Sequence, residues 1–134
     1  MKKYIIKISV ATIILIFLDQ ISKYWAVKNI AFVYNPGVAF GIHVPKTLLI
    51  ASTFVLLITL FVVAIKEFNL QKKLSQATIS LVAAGGASNL LDRFTYGAVV
   101  DFIDPKIWPV FNFADVFIIV GVLSIIFFYE KLKR

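Results

Sequence analysis

The stretch from Gly97 to Asp115, GAVVDFIDPKIWPVFNFAD, carries three carboxylates beside the last apolar segment of the chain. An ionisable group at the edge of the hydrocarbon region is costly, so Asp101 and Asp115 are candidates for a functional site. Two carboxylates a few ångströms apart cannot both ionise cheaply, so one keeps a proton while the other stays charged. The charged one can take a proton from water, and the protonated one can polarise a peptide carbonyl and later protonate the leaving amine. The residue types therefore favour a water-activating acid pair.

Each acid also has a structural interpretation that involves no chemistry. Asp101 and Asp115 could each form an ion pair with Arg93 or Lys106, and Asp115 near the start of a helix would complement the helix dipole. Together with Asp104, the two acids could instead hold a hard cation, which prefers oxygen ligands. The spacing alone leaves these alternatives open.

The composition is typical of a membrane protein. Of the 134 residues, 60% are hydrophobic and only 16% are charged, and the mean hydropathy is +0.92; a soluble domain of this size needs more polar surface. The length allows one domain, residues 1–134. The lack of cysteine excludes disulfides, cysteine-ligated zinc and a thiol nucleophile. The single histidine, His43, disfavours a His-rich metal site or a Ser/His triad, so we expect no metal ion and no cofactor.

Four apolar segments each come close to the ~20 residues that a helix needs to cross a bilayer. We therefore predict a membrane all-α fold with four transmembrane helices. The first segment could instead be a cleaved signal peptide, but Asp19-Gln-Ile-Ser-Lys23 stands where a small-x-small cleavage site should be. We expect it to be retained. The segments run approximately over Tyr4–Trp25, Thr47–Ile65, Leu74–Leu91 and Val110–Tyr129.

The basic residues predict the orientation of these segments. A net charge of +7 could suggest a nucleic-acid partner, but Lys and Arg cluster at the ends of the apolar segments, where they report topology instead. Nine of the fourteen lie before or near the start of the first segment, between the second and the third, or after the fourth. Both termini are then cytoplasmic, and the loops 28–46 and 94–111 face outward. On this topology, five of the seven acidic residues gather near the outer face: Asp19, Asp92, Asp101, Asp104 and Asp115.

Several polar residues are spaced so that they share a helix face with these acids. Asn112 and Asp115 are three residues apart, as are Asn89 and Asp92, and Asn89 and Arg93 are four apart. Residues at these separations are neighbours on a helix surface. Side-chain hydrogen bonds to the candidate acids are therefore expected.

Two further stretches have the pattern of extended chain or turn. Gly97 to Ile103 alternates so that Asp101 is the only polar member of its face. In Phe32–Ile42, Asn35-Pro-Gly37 is turn chemistry; the stretch is either a plain hairpin or an edge strand that could pair with an extended substrate backbone. Gly85-Gly86 within the third apolar segment favours close helix packing.

Five blocks of residues together resemble the lipoprotein signal peptidases, the type II signal peptidases of bacteria. The blocks fall in the order found in that family and the resemblance extends over essentially the whole chain. They are Asp19-Gln-Ile-Ser-Lys23, Asn35-Pro-Gly-Val-Ala-Phe-Gly41, Gly85-Gly-Ala-Ser-Asn-Leu-Leu-Asp-Arg93, Gly97-Ala-Val-Val-Asp-Phe-Ile-Asp104 and Phe111-Asn-Phe-Ala-Asp115.

The resemblance implies an aspartic endopeptidase of the bacterial cytoplasmic (inner) membrane, with its active site near the outer face. It would remove the signal peptide from prolipoproteins, cutting just before a cysteine that carries a diacylglyceryl group. Prolipoproteins and membrane lipids are then the expected partners of a monomer, with no nucleic acid. Asp101 and Asp115 match the catalytic pair of the family. Five residues match the polar groups that line the site, orient the pair and hold the substrate backbone: Asp19, Asn35, Asn89, Arg93 and Asn112.

The family fold adds a small extracytoplasmic β-sheet cradle, for which Phe32–Phe40 and Gly97–Ile103 are the expected strands. Two connections are shorter than in the family. Thirteen residues, Phe102–Ala114, separate the two candidate acids, and His43–Lys46 is brief for the usual outer amphipathic helix. Both bear on how the substrate is covered rather than on the chemistry.

A small four-span proton-coupled transporter, with membrane carboxylates as proton or cation sites, is the alternative function. It predicts a key acid near the middle of the bilayer. Here Asp19 lies near the end of a segment, and two further carboxylates lie in an outer loop, which favours the protease.

Overall fold

The computed structural model describes residues 1–37 and 44–134, and over these two ranges the chain forms four long helices and two short strands. Each predicted apolar segment coincides with a helix, and the predicted small sheet is present. The elements are α1 (Lys2–Asn29), β1 (Val33–Asn35), α2 (Lys46–Glu67), α3 (Lys73–Thr95), β2 (Val99–Asp101) and α4 (Phe113–Leu132).

Three of the helices, α1, α2 and α4, are long and apolar enough to cross a membrane. They expose large hydrophobic side chains to the surroundings, among them Ile13 at 65%, Leu56 at 68% and Phe127 at 72%. Apolar surface on this scale is unfavourable in water and typical of a face in contact with lipid.

The remaining helix, α3, lies at the centre and packs against α1, α2 and α4. Because the other helices surround it, its polar groups are covered by protein rather than by lipid. Its buried residues include Ser75, Thr78, Ser80, Ser88, Asn89 and Asp92. This central position explains why α3 is less apolar than its neighbours although its 23 residues have a similar length.

Glycines let α3 and α4 approach closely, as Gly85-Gly86 predicted. A methyl group on Gly85 would overlap the carbonyl oxygen of Ala114 and lie 2.6 Å from Cγ1 of Ile118. Gly121 on α4 likewise leaves room for Val82 of α3. The first turn of α4 therefore packs directly against the backbone of α3.

The two strands form a small antiparallel sheet beside this contact, in which Val33 pairs with Asp101 and Asn35 with Val99. Within the described residues both strands are shorter than predicted. The part of the first prediction beyond Gly37 lies outside the described residues, as does His43 at the start of His43–Lys46, and Lys46 is the first residue of α2. Gly97, with φ of +79°, lets the chain reverse from α3 into β2 in a conformation that favours glycine.

The short connection from β2 to α4 is closed by its own backbone pairing. Ile103 and Phe111 form an antiparallel bridge. The Ile103 amide donates to the Phe111 carbonyl at 2.9 Å, and the Phe111 amide donates to the Ile103 carbonyl at 3.1 Å. The rings of Phe102 and Phe113 pack edge to face outside this bridge, with centroids 5.7 Å apart. The bridge returns the chain to β2, so that Asn112 lies beside Asp101.

A separate apolar cluster fixes the opposite end of the bundle. Phe68 and Leu132 are almost completely buried there, with Ile79 of α3 beside them. The Asn69 amide donates to the Leu132 carbonyl at 2.8 Å, so the end of α4 is tied to the α2–α3 connection.

We expect Gly85→Ala to destabilise the protein because the added methyl group must displace backbone of α4. Overpacking of this kind costs about 1–3 kcal/mol. Gly86→Ala is the matched control, since its methyl group would meet the flexible side chain of Leu57, with Cδ2 nearest at 3.0 Å, and no backbone atom of another helix. Thermal unfolding in lipid nanodiscs measures both, and equal losses in the two variants would contradict the close α3–α4 contact.

Candidate active site

The two candidate acids meet at one asparagine. Nδ2 of Asn112 donates to Oδ1 of Asp101 at 2.6 Å, and the backbone amide of Asn112 donates to Oδ2 of Asp115 at 3.2 Å. Asn112 is fully buried, Asp101 is 2% exposed, and Asp115 is partly exposed. The structure thus brings together the two carboxylates that the sequence singled out.

Asn112 also forms the N-cap of α4. Its Oδ1 accepts from the Asp115 amide at 2.9 Å, and the Asp115 side chain accepts from the Asn112 backbone amide. These two reciprocal bonds form a complete capping box. The helix-capping interpretation of Asp115 is therefore confirmed, and it explains why α4 begins at Phe113 and not at the predicted Val110. Capping does not preclude chemistry, because it uses only Oδ2 while Oδ1 faces Asn89.

Three asparagine side chains donate to the acid pair. In each of them, a donor bound to the amide oxygen determines the direction in which the amide nitrogen points. An amide offers one accepting oxygen and one donating nitrogen, so a donor at the oxygen directs the nitrogen elsewhere. Oδ1 of Asn112 is occupied by the Asp115 amide, which leaves Nδ2 for Asp101. Oδ1 of Asn35 accepts from the Gly37 amide at 3.1 Å, and Nδ2 donates to Oδ2 of Asp101 at 3.0 Å.

The third amide, Asn89, donates to the other acid. Its Nδ2 lies 2.8 Å from Oδ1 of Asp115, while its Oδ1 accepts from Nζ of Lys23 at 3.0 Å and from Nδ2 of Asn112 at 3.2 Å. Both acids are consequently held by neutral donors whose orientation is determined by the fold.

The register of the small sheet accounts for the Asn35 contact. Asn35 is opposite Val99, and Asp101 lies two residues further along β2, on the same face. Diagonal neighbours across an antiparallel pair can touch when their side chains are long enough. A one-residue slip of β1 would turn Asn35 to the other face of the sheet and remove the bond.

A second group of buried charges lies behind the acid pair. Nζ of Lys23 is 2.6 Å from Oδ2 of Asp19 and 2.7 Å from Oδ2 of Asp92, and Lys23 is only 3% exposed. Oδ1 of Asp19 accepts from the Ala114 amide at 2.8 Å, and Oδ2 of Asp92 accepts from the Val100 amide at 3.1 Å. Asp19 therefore supports the start of α4 rather than the acid pair itself.

The sequence did not single out Lys23, Asp92, Gln20 or Ser88, which belong to this second group behind the acid pair and not to the pair itself. Gln20 donates to Oδ1 of Asp92 and to Ser88, both at 2.8 Å, and Ser88 donates to Oδ2 of Asp19 at 2.6 Å. The four-residue spacing of Asp19 and Lys23 within one helix was the available signal.

Arg93 lies at the site and forms no ion pair with any of the residues that the structure describes. Its guanidinium donates to the Gly37 carbonyl at 3.4 Å and to the Asn89 carbonyl at 3.5 Å, and its buried Nε has no hydrogen-bond partner among the described residues. Within the described residues neither Asp101 nor Asp115 pairs with Arg93 or Lys106, so the ion-pair interpretation of these acids is wrong.

Asp104 does not join the acid pair. It is exposed on the loop and pairs with Nζ of Lys106 at 2.6 Å. Asp101, Asp104 and Asp115 therefore do not form the set of cation ligands that the sequence had left open, and no other acidic or histidine cluster in residues 1–37 and 44–134 has a geometry to hold a metal ion.

Burial changes the acidity of Asp101. Burial, together with the neighbouring charge of Asp115, raises the pKa of Asp101 from its usual 3.8 to about 6, although the hydrogen bonds from Asn35 and Asn112 act in the opposite direction. A raised pKa on one of two adjacent carboxyl groups is the condition under which such a pair can hold one proton between them.

Comparison with known proteins identifies the family. The family model for signal peptidase (SPase) II matches residues 11–130. The lipoprotein signal peptidase of Blochmanniella pennsylvanica is 36% identical, over 92% of this chain and 89% of that protein. The lipoprotein signal peptidase of Moorella thermoacetica is 33% identical, over 83% and 84% of the two chains.

The fold has a close counterpart among solved structures. A bacterial membrane enzyme determined by the in meso method at 2.3 Å resolution superimposes with a TM-score of 0.82 and 28% identity, over 92% of this chain and 87% of that one. With the three apolar helices, this likeness supports a multi-pass membrane protein. These comparisons do not support the transporter alternative. The chain belongs to the signal peptidase II family.

Proposed function

We propose that this chain is a membrane aspartic endopeptidase that removes the signal peptide from prolipoproteins, cutting just before the lipid-modified cysteine, with Asp101 and Asp115 as its catalytic pair. The observation that carries the proposal is that both acids hydrogen-bond to the same residue, Asn112, in a chain of the signal peptidase II family. Residues 1–134 act as one protease domain and as a monomer.

The chemistry follows from one proton shared by two carboxyl groups. The charged member of the pair takes a proton from a water molecule, which attacks the peptide carbonyl. The protonated member polarises that carbonyl and later donates its proton to the leaving amine. Because the two groups are coupled, the titration belongs to the pair rather than to either residue.

Charge distribution supports a position near the outer face of the cytoplasmic membrane. The acid pair lies near the end of α3 and the start of α4, whereas Lys66, Lys72 and Lys73 flank the α2–α3 connection and lie at the other end of α3. Lysines favour the cytoplasmic side of a membrane protein. We take all four helices, α3 included, to cross the membrane, with both termini inside.

The sheet and Arg93 are suited to hold an extended substrate. Within the described residues β1 pairs with β2 along one edge only, so the backbone of its other edge could bind a peptide strand. Arg93, whose Nε has no hydrogen-bond partner among the described residues, is a donor for a substrate carbonyl beside the acid pair.

Asp101→Asn and Asp115→Asn should each lower the cleavage rate by at least about 10³-fold, since an amide cannot exchange the required proton. The measurement uses each purified variant in nanodiscs with a lipidated precursor, and mass spectrometry locates the cut. Asp104→Asn is the control: it changes an exposed aspartate in the connection between Asp101 and Asp115, and it should keep the parent rate. If either Asp101→Asn or Asp115→Asn cleaved the precursor at the parent rate, Asp101 and Asp115 would not be the catalytic pair.

The raised pKa of Asp101 also predicts how stability depends on pH. The folded state binds this proton more tightly than the unfolded chain, so the free energy of unfolding falls as the pH rises from 3.8 towards about 6. Asp101→Asn lacks this titration. The difference in melting temperature, variant minus parent, should therefore rise across that range and level off above it.

Melting curves of both proteins in nanodiscs, taken in buffers between pH 4 and pH 7, provide the measurement, with Asp104→Asn as the control. Parallel curves for the parent and Asp101→Asn across the whole range would show that Asp101 ionises as it does in water.

A further inference from the structure

Lys23 touches neither catalytic acid, yet it binds three residues that hold them. The structure assigns Lys23 the role of a positioning residue: we propose that its buried ammonium group fixes the relative placement of Asp101 and Asp115 by linking Asp19, Asp92 and Asn89. This inference rests on the proposed function, because it concerns the alignment of the same acid pair.

The first link runs to Asp115 through Asp19. Nζ of Lys23 lies 2.6 Å from Oδ2 of Asp19, and Oδ1 of Asp19 accepts from the Ala114 amide at 2.8 Å. Ala114 immediately precedes Asp115. The ion pair on α1 therefore holds the backbone from which the Asp115 side chain projects.

The second link runs to Asp101 through Asp92 and has the same form. Nζ of Lys23 lies 2.7 Å from Oδ2 of Asp92, and this oxygen accepts from the Val100 amide at 3.1 Å. Val100 immediately precedes Asp101. Each catalytic acid is thus preceded by a residue whose amide is bound by a carboxylate, and one ammonium group joins the two carboxylates.

The third link determines the direction of an amide. Lys23 donates to Oδ1 of Asn89 at 3.0 Å, which leaves Nδ2 of Asn89 to donate to Asp115 at 2.8 Å. A flipped amide would place an NH2 group against the ammonium and its oxygen against a carboxylate, and both contacts would be repulsive. Lys23 therefore selects the one orientation that donates to the acid pair.

Neutralising buried charge is the competing role for Lys23. A buried carboxylate without its partner is strongly destabilising, so loss of Lys23 would affect folding whether or not it positions the acids. The two roles differ in what restores activity. If Lys23 only balances charge, removing one carboxylate together with the ammonium group should restore activity. If Lys23 orients Asn89, the same change should not restore activity.

The experiment compares Lys23→Met with the double variant Lys23→Met/Asp92→Asn, which keeps the net charge of the trio Asp19, Lys23 and Asp92 unchanged. Both are purified in nanodiscs and assayed for kcat, KM and melting temperature with a lipidated precursor. We expect Lys23→Met to lower both the melting temperature and kcat, the latter by about 10²-fold, the scale for a small misplacement of catalytic groups. The double variant should regain melting temperature while kcat stays low and KM changes less than about threefold.

Ser88→Ala is the control for damage to the same buried cluster. It removes the hydroxyl that donates to Asp19 at 2.6 Å but leaves the Lys23–Asn89 contact intact. It should lower the melting temperature and keep kcat within about threefold of the parent, since no catalytic group is displaced.

Recovery of kcat together with melting temperature in the double variant would overturn the proposal and leave Lys23 as a charge-balancing residue. Parent-like kcat in Lys23→Met would overturn it as well. Neither result affects the acid pair, whose failure would instead appear as activity in Asp101→Asn or Asp115→Asn.

Discussion

Four carboxylates occupy one layer of this membrane chain, and the free energy needed to keep them out of water constrains the surrounding structure. Asp19, Asp92 and Asp101 are almost fully buried, and Asp115 is half-buried. A buried carboxylate is tolerated only when its oxygens are hydrogen-bonded. Both oxygens of each of the four accept at least one hydrogen bond or ion pair, from donors on α1, β1, α3, β2 and the start of α4.

The donors divide these acids into two kinds. Asp19 and Asp92 share the ammonium group of Lys23 and bind backbone amides, so they connect elements of the fold. Asp101 and Asp115 are held by neutral amides, which position a carboxyl group without an ion pair. Such an arrangement fixes the geometry of an acid pair and still allows a proton to move between its members, as acid–base chemistry requires.

The sequence predicted the helices well because their signal is local. Runs of about twenty apolar residues can satisfy their backbone in lipid only as helices, and the spacing of Asn112 and Asp115 predicted a contact that the capping box makes. Within the described residues the strands were predicted too long, since two short strands carry little sequence pattern of their own. The closure of the short β2–α4 connection by Ile103 and Phe111 has no signal in composition or periodicity.

What the sequence could not supply was the pairing of charges between helices. Lys23 counted as one of several basic residues in an outward position, yet it is buried between Asp19 and Asp92, which are far apart in the chain. Arg93 had the expected spacing from Asn89 but donates to backbone carbonyls. Burial of this kind depends on which helix faces share an interface, and that is decided by packing contacts such as Gly85 against Ala114.

The central claim is that Asp101 and Asp115 act on one reacting centre. A structure of the protein with a peptide analogue that carries a hydroxyl group at the scissile position tests it most directly. The account predicts that the hydroxyl oxygen lies within about 2.5–3.0 Å of a carboxyl oxygen of each acid. A hydroxyl bound to only one of them, or an analogue bound away from Asn112, would contradict it.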